Sequence, residues 1–551
     1  MREFILNKKH SKAQAFVLLY GILVVAAAIL GAFLLKNANE RLLVQRQKAQ
    51  NEVFYLAEGG LEDAIKKFNY AIANYQIDPN IDRYPANGTI TTTYSNSTLF
   101  PSGATVESFI TAANITNGTQ VVTDPDGSTV FVKAYIVTAT AVHPTYGEIT
   151  ATLKQAFLRR LIYAFQHAVF YNDDLEILPG AAMLFAGRIH TNKDMYLGTH
   201  ATLTVDNEYL HSAGNIYNHR KDSTDIMLGA VSIKKAGTTD FEAMAGLDSD
   251  SADWLTESQT RWNGTVKSSV HGVTELTAPS VGSIQPDGYY ASQAGVKIEN
   301  GVITKNGVPL VEGTDMPAGT ITTTTTFYNN REGKYVRMTN VDLKKLAGYA
   351  AGDVEGSPSF TNNLPSNGLI YATRNDAPSN QSPGVRLVNG SQIYRNSGLT
   401  VVSNDPVYVQ GSYNTVNKKP SAVYSDAVNL LSNSWSDANS TKSVDYRVAS
   451  NTEVNAAFIS GIDQTSTGHY NGGLENYPRM HEKWTGKELK IKGSFVELWN
   501  SQIAQGSWVY GNPQYTAPNR NWSYDTDFAS GNMPPFTPWA VEAYRGAWWK
   551  E

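Results

Sequence analysis

FVLLYGILVVAAAILGAFLLKNANERLLVQRQKAQNEVFYLAEGGLEDAIKKFN, residues 16–69, is the stretch around which the chain is organised. It contains no proline, and no charged side chain occurs from residue 13 to residue 35. A helix rises 1.5 Å per residue, so roughly 20 apolar residues cross a hydrocarbon core, and residues 16–35 suffice for a membrane span. Past Lys36 the pattern turns amphipathic. Ala38, Leu42, Ala49, Val53, Ala57, Leu61 and Ile65 recur at steps of four or seven and form one apolar stripe. Together the halves predict one helix about 80 Å long, membrane-spanning over 16–35 and amphipathic over 36–75, ending before Pro79.

Residues 76–162 change to period two. ATVESFITAA (104–113), STVFVKAYIVTATAV (128–142) and GEITATLKQAF (147–157) predict three strands, with turns at 124–127 and 143–147. A three-stranded antiparallel meander is the least that buries the amphipathic half of the helix. From Tyr163 short apolar triplets alternate with Gly, Asn and Asp, in residues 163–220 and again in 351–551. Strands that short suit a β-solenoid, with a β-sandwich as the alternative. Residues 221–350 read as a mixed insertion, helical in part near 238–264 and again at 341–350, with the threonine run 320–326 as an exposed edge strand. Six tryptophans near the end (Trp499, Trp522, Trp548 and Trp549 among them) read as a cap on an open solenoid end rather than a ligand-stacking surface. The fold class is α+β: long helix, meander, large mostly-β region.

Composition narrows the chemistry. The 551 residues carry a net charge of -5 and only 17% charged side chains, so no basic field points to nucleic acid. The chain has no cysteine, hence no disulfide, thiolate nucleophile or Cys-ligated zinc. Phosphate-loop, nucleophile-elbow and dinucleotide motifs are absent. His167, His190, His200, His211 and His219 crowd one region without a helical zinc spacing. Residues 248–253 begin like a calcium loop but carry Asp253 where glycine is needed and Gln259 in place of the bidentate glutamate, so they read as an acidic turn. Asp173 with Asp174, or Asp525 with Asp527, are the carboxylate pairs a glycoside hydrolase would need. The sequence predicts no catalytic residue, cofactor or metal.

A short charged leader, a small residue before Phe16, and an apolar half-helix merging into an amphipathic one resemble the type III leader of type IV pilin-like proteins. Tyr55 to Glu62, with Ala57, Glu58, Gly60, Leu61 and Glu62 followed by Ala64, resembles the N-terminal signature of PilX-type minor pilins. The resemblance implies cleavage by a prepilin peptidase between Ala15 and Phe16, the leader being residues 1–15. It departs from the family pattern at Ala15, where glycine is usual, and at Tyr20, where major pilins carry glutamate; that favours a minor, tip or pseudopilin role. The implied partners are the inner membrane, other pilin-like subunits, the pilus assembly machinery and, at the cell surface, polysaccharide. The implied function is a pilus-associated subunit whose bulk lies outside the cytoplasm and serves assembly, adhesion or surface contact. The alternatives are a signal-anchored envelope protein unrelated to pili and a β-helix carbohydrate-active enzyme. Flanking charge does not orient the span, with four cations on each side.

Overall fold

The computed structural model describes residues 2–94, 103–113, 118–124 and 127–551. Pro125 and Asp126 of the expected turn lie outside the described residues, as do Met1 and the side chains of residues 2–11 in the expected leader. Helix α1 runs unbroken over Arg2–Ala73. Gly59 and Gly60 do not interrupt it, because packing on its inner face holds that turn in place.

The amphipathic half lies on an antiparallel sheet. Strands β1 (Ala104–Ala112), β2 (Thr129–Val142) and β3 (Thr150–Tyr163) form the meander, with Thr105 opposite Val142 and Val130 opposite Ile162. Ala49, Val53, Ala57, Leu61 and Ile65 are almost completely buried against this sheet, in one core with Val106, Tyr135 and Phe157. Leu42 differs from expectation. It lies on the same stripe but remains 54% exposed, because the sheet does not extend that far along the helix.

Strand β4 (Trp539–Lys550) completes the sheet by pairing antiparallel with β3, Trp539 opposite Tyr163 and Lys550 opposite Leu153. The tryptophans therefore do not form one cap. Trp499 and Trp522 are buried within the large β region, Trp539 stacks on Tyr163 at 3.8 Å, and Trp548 meets Phe54 of α1 edge-on. The edge of β3 is covered by the chain's own end.

The large region is built mainly from parallel pairs, in multiple sheets, with antiparallel strand pairs confined to residues 230–342. His167–Tyr171 pairs with Arg188–Thr191, which pairs with Leu210–Ser212. Beside them Leu175–Ile177, Met195–Leu197 and Ile216–Tyr217 pair in the same order, with Leu175 opposite Met195 and Met195 opposite Ile216. From the C-terminal side, Leu369–Thr373, Leu399–Val402, Ser421–Ser425, Thr452–Ile462 and Glu488–Asn500 pair in succession, and Glu488–Asn500 pairs in turn with His167–Tyr171. One 13-stranded sheet thus joins both ends of the region. Residues 221–350 supply strands to opposite ends of that sheet: Val266–Lys267 beside Leu210–Ser212 and Val296–Glu299 beside Leu369–Thr373. They carry the chain from one end to the other. The expected helical pieces are Trp254–Trp262 and Leu343–Leu346, and the threonine run is an edge strand, Ile321–Thr324.

The helix end is tied to this region. Tyr75 stacks on Tyr289 at 3.6 Å and shares a 2.9 Å hydrogen bond with the Tyr290 hydroxyl, while Asn74 Oδ1 accepts from the Ser280 backbone N–H at 2.9 Å.

Gly60 provides a direct test of the helix–sheet contact. A Cβ at this position would stand 2.2 Å from Val106 Cγ1 and 3.3 Å from its Cβ, whereas at Gly59 it would meet only the Tyr94 hydroxyl at 3.2 Å. Gly60→Ala should therefore destabilise by about 1–3 kcal/mol through overpacking, despite the better helix propensity of alanine. Gly59→Ala should be neutral or stabilising by up to about 1 kcal/mol. Thermal unfolding of the two variants in detergent checks this; equal effects would mean the contact at Gly60 is looser than described.

Candidate functional site

The first half of α1 is one helix long and apolar enough to cross a membrane, and none of its most apolar window is buried within the protein. Fourteen large apolar side chains over residues 16–35 are 53–72% exposed, on every face. Burying one such side chain is worth about 1.5–3 kcal/mol, so together they leave tens of kcal/mol unsatisfied in water. A folded domain has a net stability of only about 5–15 kcal/mol. This surface demands an apolar environment from outside the chain. Ala15, Phe16 and Tyr20 all lie exposed within this helix, Phe16 at 72%.

Residues 36–48 then run free of the sheet for about 20 Å, as a charged collar. Lys36 pairs with Glu40 at 3.9 Å, Lys48 with Glu52 at 3.7 Å, and Arg46 reaches Glu148 at 3.8 Å. Exposed pairs of this kind add little stability; they keep the segment hydrated between the apolar half and the sheet.

The signature residues divide by face. Ala57, Gly60 and Leu61 turn toward the sheet, and Glu58 and Glu62 turn outward. Small residues at 57 and 60 let the helix backbone approach β1 closely. Glu62 hydrogen-bonds Arg545 of β4, so one outward carboxylate helps hold the last strand.

The histidines are brought together only in part. His190 lies opposite His211, and His167 opposite Arg188, on three adjoining strands. His200 is exposed, and His219 bonds the Arg220 carbonyl at 2.8 Å. Among the described residues no three His, Asp or Glu side chains are grouped to hold a metal ion. Asp525 and Asp527 share Lys418, at 2.5 and 2.8 Å, and Asp525 also caps the helix Thr526–Ala529. Asp248 accepts the backbone N–H groups of Asn218 and Asp250, as a structural turn does. Asp173 and Asp174 line a polar cleft with Glu176, a residue the sequence did not single out.

Burial pushes His190 down to about 4, and holds His167 and His211 well below the usual imidazole range, with the Arg188 cation adding to it. These rings are neutral in the fold and charge near 6.5 when unfolded, so their contribution is present above that pH and lost as pH falls. Buried Glu176, Glu482 and Glu497, raised by desolvation to about 7, 7 and 8, act oppositely: their contribution is lost as pH rises through those values. A single-residue comparison separates the two trends. Between pH 7.5 and 4.5, His190→Gln should lose less stability than the parent chain by about 2–3 kcal/mol, measured by chemical denaturation. Parallel pH profiles would show that His190 is solvated.

No protein-family model matches the chain, and no curated protein matches it. Among solved structures, the competence-associated pilin ComZ from Thermus thermophilus is similar at 9% identity and a TM-score of 0.25, covering 91% of this chain and 97% of that one.

Proposed function

We propose that the chain is a pilin-like, membrane-inserted subunit that displays a large β-rich region on a single helix. The division of α1 carries this: residues 16–35 are apolar and bare on all sides, while residues 49–65 are buried on a sheet of the same chain. In the membrane the bare half sits in lipid. During assembly it transfers from lipid to the helices of neighbouring pilin-like subunits, at little net hydrophobic cost because both surroundings are apolar. The resemblance at residues 15–20 and 55–64 supports processing by a prepilin peptidase between Ala15 and Phe16, and a PilX-type minor or tip role in the pilus assembly machinery. The size of the β region favours low copy number, since a load this large crowds a helical lattice.

The in-register parallel pairs of the large region support its reading as a β-solenoid, each coil stacking on the next. Its role is surface contact or adhesion, with the bulk outside the cytoplasm; no catalysis is assigned to it. A signal-anchored envelope protein would use the same helix without cleavage.

The two separate on the mature N-terminus. The protein purified from its native membrane should begin at Phe16, by N-terminal sequencing and intact mass. Ala15→Lys should leave the leader attached. A chain still beginning at Met1 would overturn the pilin-like reading in favour of the simple anchor.

A further inference from the structure

The turn after His167–Tyr171 opens onto a cleft of about 210 Å³ that the pilin-like reading leaves without a role. In Leu175–Ile177 the outer two side chains enter the core, and Glu176 between them faces the opposite way, beneath residues 462–473. Glu176 is only 3% exposed, and its Oε2 has no hydrogen-bond partner among the described residues. It lines both this cleft and the adjoining one beside Tyr477. A carboxyl oxygen buried without a partner is left unsatisfied, and a ligand hydroxyl that reached it would satisfy it.

The rest of the lining narrows the ligand. Asp174 is held by Lys221 at 2.5 Å and also accepts the Asp194 backbone N–H at 2.9 Å. Lys193 is engaged by Glu275 at 2.5 Å. Both lysines are thus neutralised, and three acidic side chains around the cleft disfavour an anion. Lys221 occupies the Asp174 carboxylate that a divalent cation would need open. Eight of the nine lining residues are polar or charged, Gln464, Thr465 and Asn471 among them, and Thr465 hydrogen-bonds the Glu176 carboxyl. Neutral, hydroxyl-rich molecules fit a site that offers donors and acceptors side by side. Glu176, raised by burial to about 7, serves as either near neutral pH. Tyr196 and Tyr217 continue the row that Glu176 begins, register by register, with ring centroids 5.1 Å apart.

We propose that this cleft binds one pyranose unit of a neutral glycan, with the free oxygen of Glu176 bonded to a sugar hydroxyl. The chemistry is independent of leader processing, so the two readings fail separately.

The test uses the full-length protein in detergent, with methyl β-D-glucopyranoside, methyl β-D-galactopyranoside and N-acetylglucosamine as probes, by saturation-transfer NMR and titration calorimetry. Saturable binding of at least one probe is expected. Glu176→Leu should weaken it by about tenfold or more, the loss of one hydrogen bond to a buried group, whereas Glu176→Gln should retain most of it. If Glu176→Leu does not fold, Thr465→Ala takes its place, with the same weakening expected. No binding of any probe, binding indifferent to these changes, or Glu176-dependent binding of calcium or inorganic phosphate instead would overturn the proposal.

Discussion

Helix α1 carries more exposed apolar surface than its own chain can cover, and the remaining architecture follows from that imbalance. Among the described residues, only the half beyond residue 48 is buried on protein. There the sheet takes up Ala49, Val53, Ala57, Leu61 and Ile65, and closes on the helix through the absence of a side chain at Gly60. The half before residue 36 stays bare, and the charged collar between them sets the distance at which the β region stands off. A helix that was apolar throughout would draw the sheet into the same apolar phase. One amphipathic throughout would have no anchor.

Two further contacts make the β region answer to this helix rather than hang from it. Strand β4 returns from the far end of the chain to cover β3, and its Arg545 meets Glu62 on α1. Tyr75 and Asn74, just past the helix end, are held by Tyr289, Tyr290 and Ser280 from the middle of the chain. Motion at the base of the large region is therefore resisted by contacts from three distant segments, none of which is a local loop.

Much of the first unit was legible in the sequence, because its two periods are clean. Residues 16–69 repeat with the helix, and residues 104–157 alternate as strands do. Periodicity names the buried face but not where the partner ends, which is why Leu42 was expected in the core and is not there. The pairing of β4 with β3 joins residues nearly 400 positions apart, and no local pattern in WAVEAYRGAWWK announces it. Residues 221–350 look like an insertion in a linear reading; their work of spanning the long sheet is visible only once the strand order is known. Glu176 was missed for a related reason. LEI at 175–177 marks it as facing away from the core, but its burial comes from residues 462–473, far along the chain.

Because the chain has no cysteine of its own, single cysteines along α1 report their surroundings without background. The most direct test labels such a series, from Val17 to Ile65, with a membrane-impermeant maleimide on intact native membranes opened to both sides. Protection on all faces over residues 17–35, free labelling at Leu42 and its neighbours, and one-faced protection at 49, 53, 57, 61 and 65 is the pattern predicted. Labelling of residues 17–35 at rates like that of Leu42 would contradict the account, since the bare half of the helix would then lie in water.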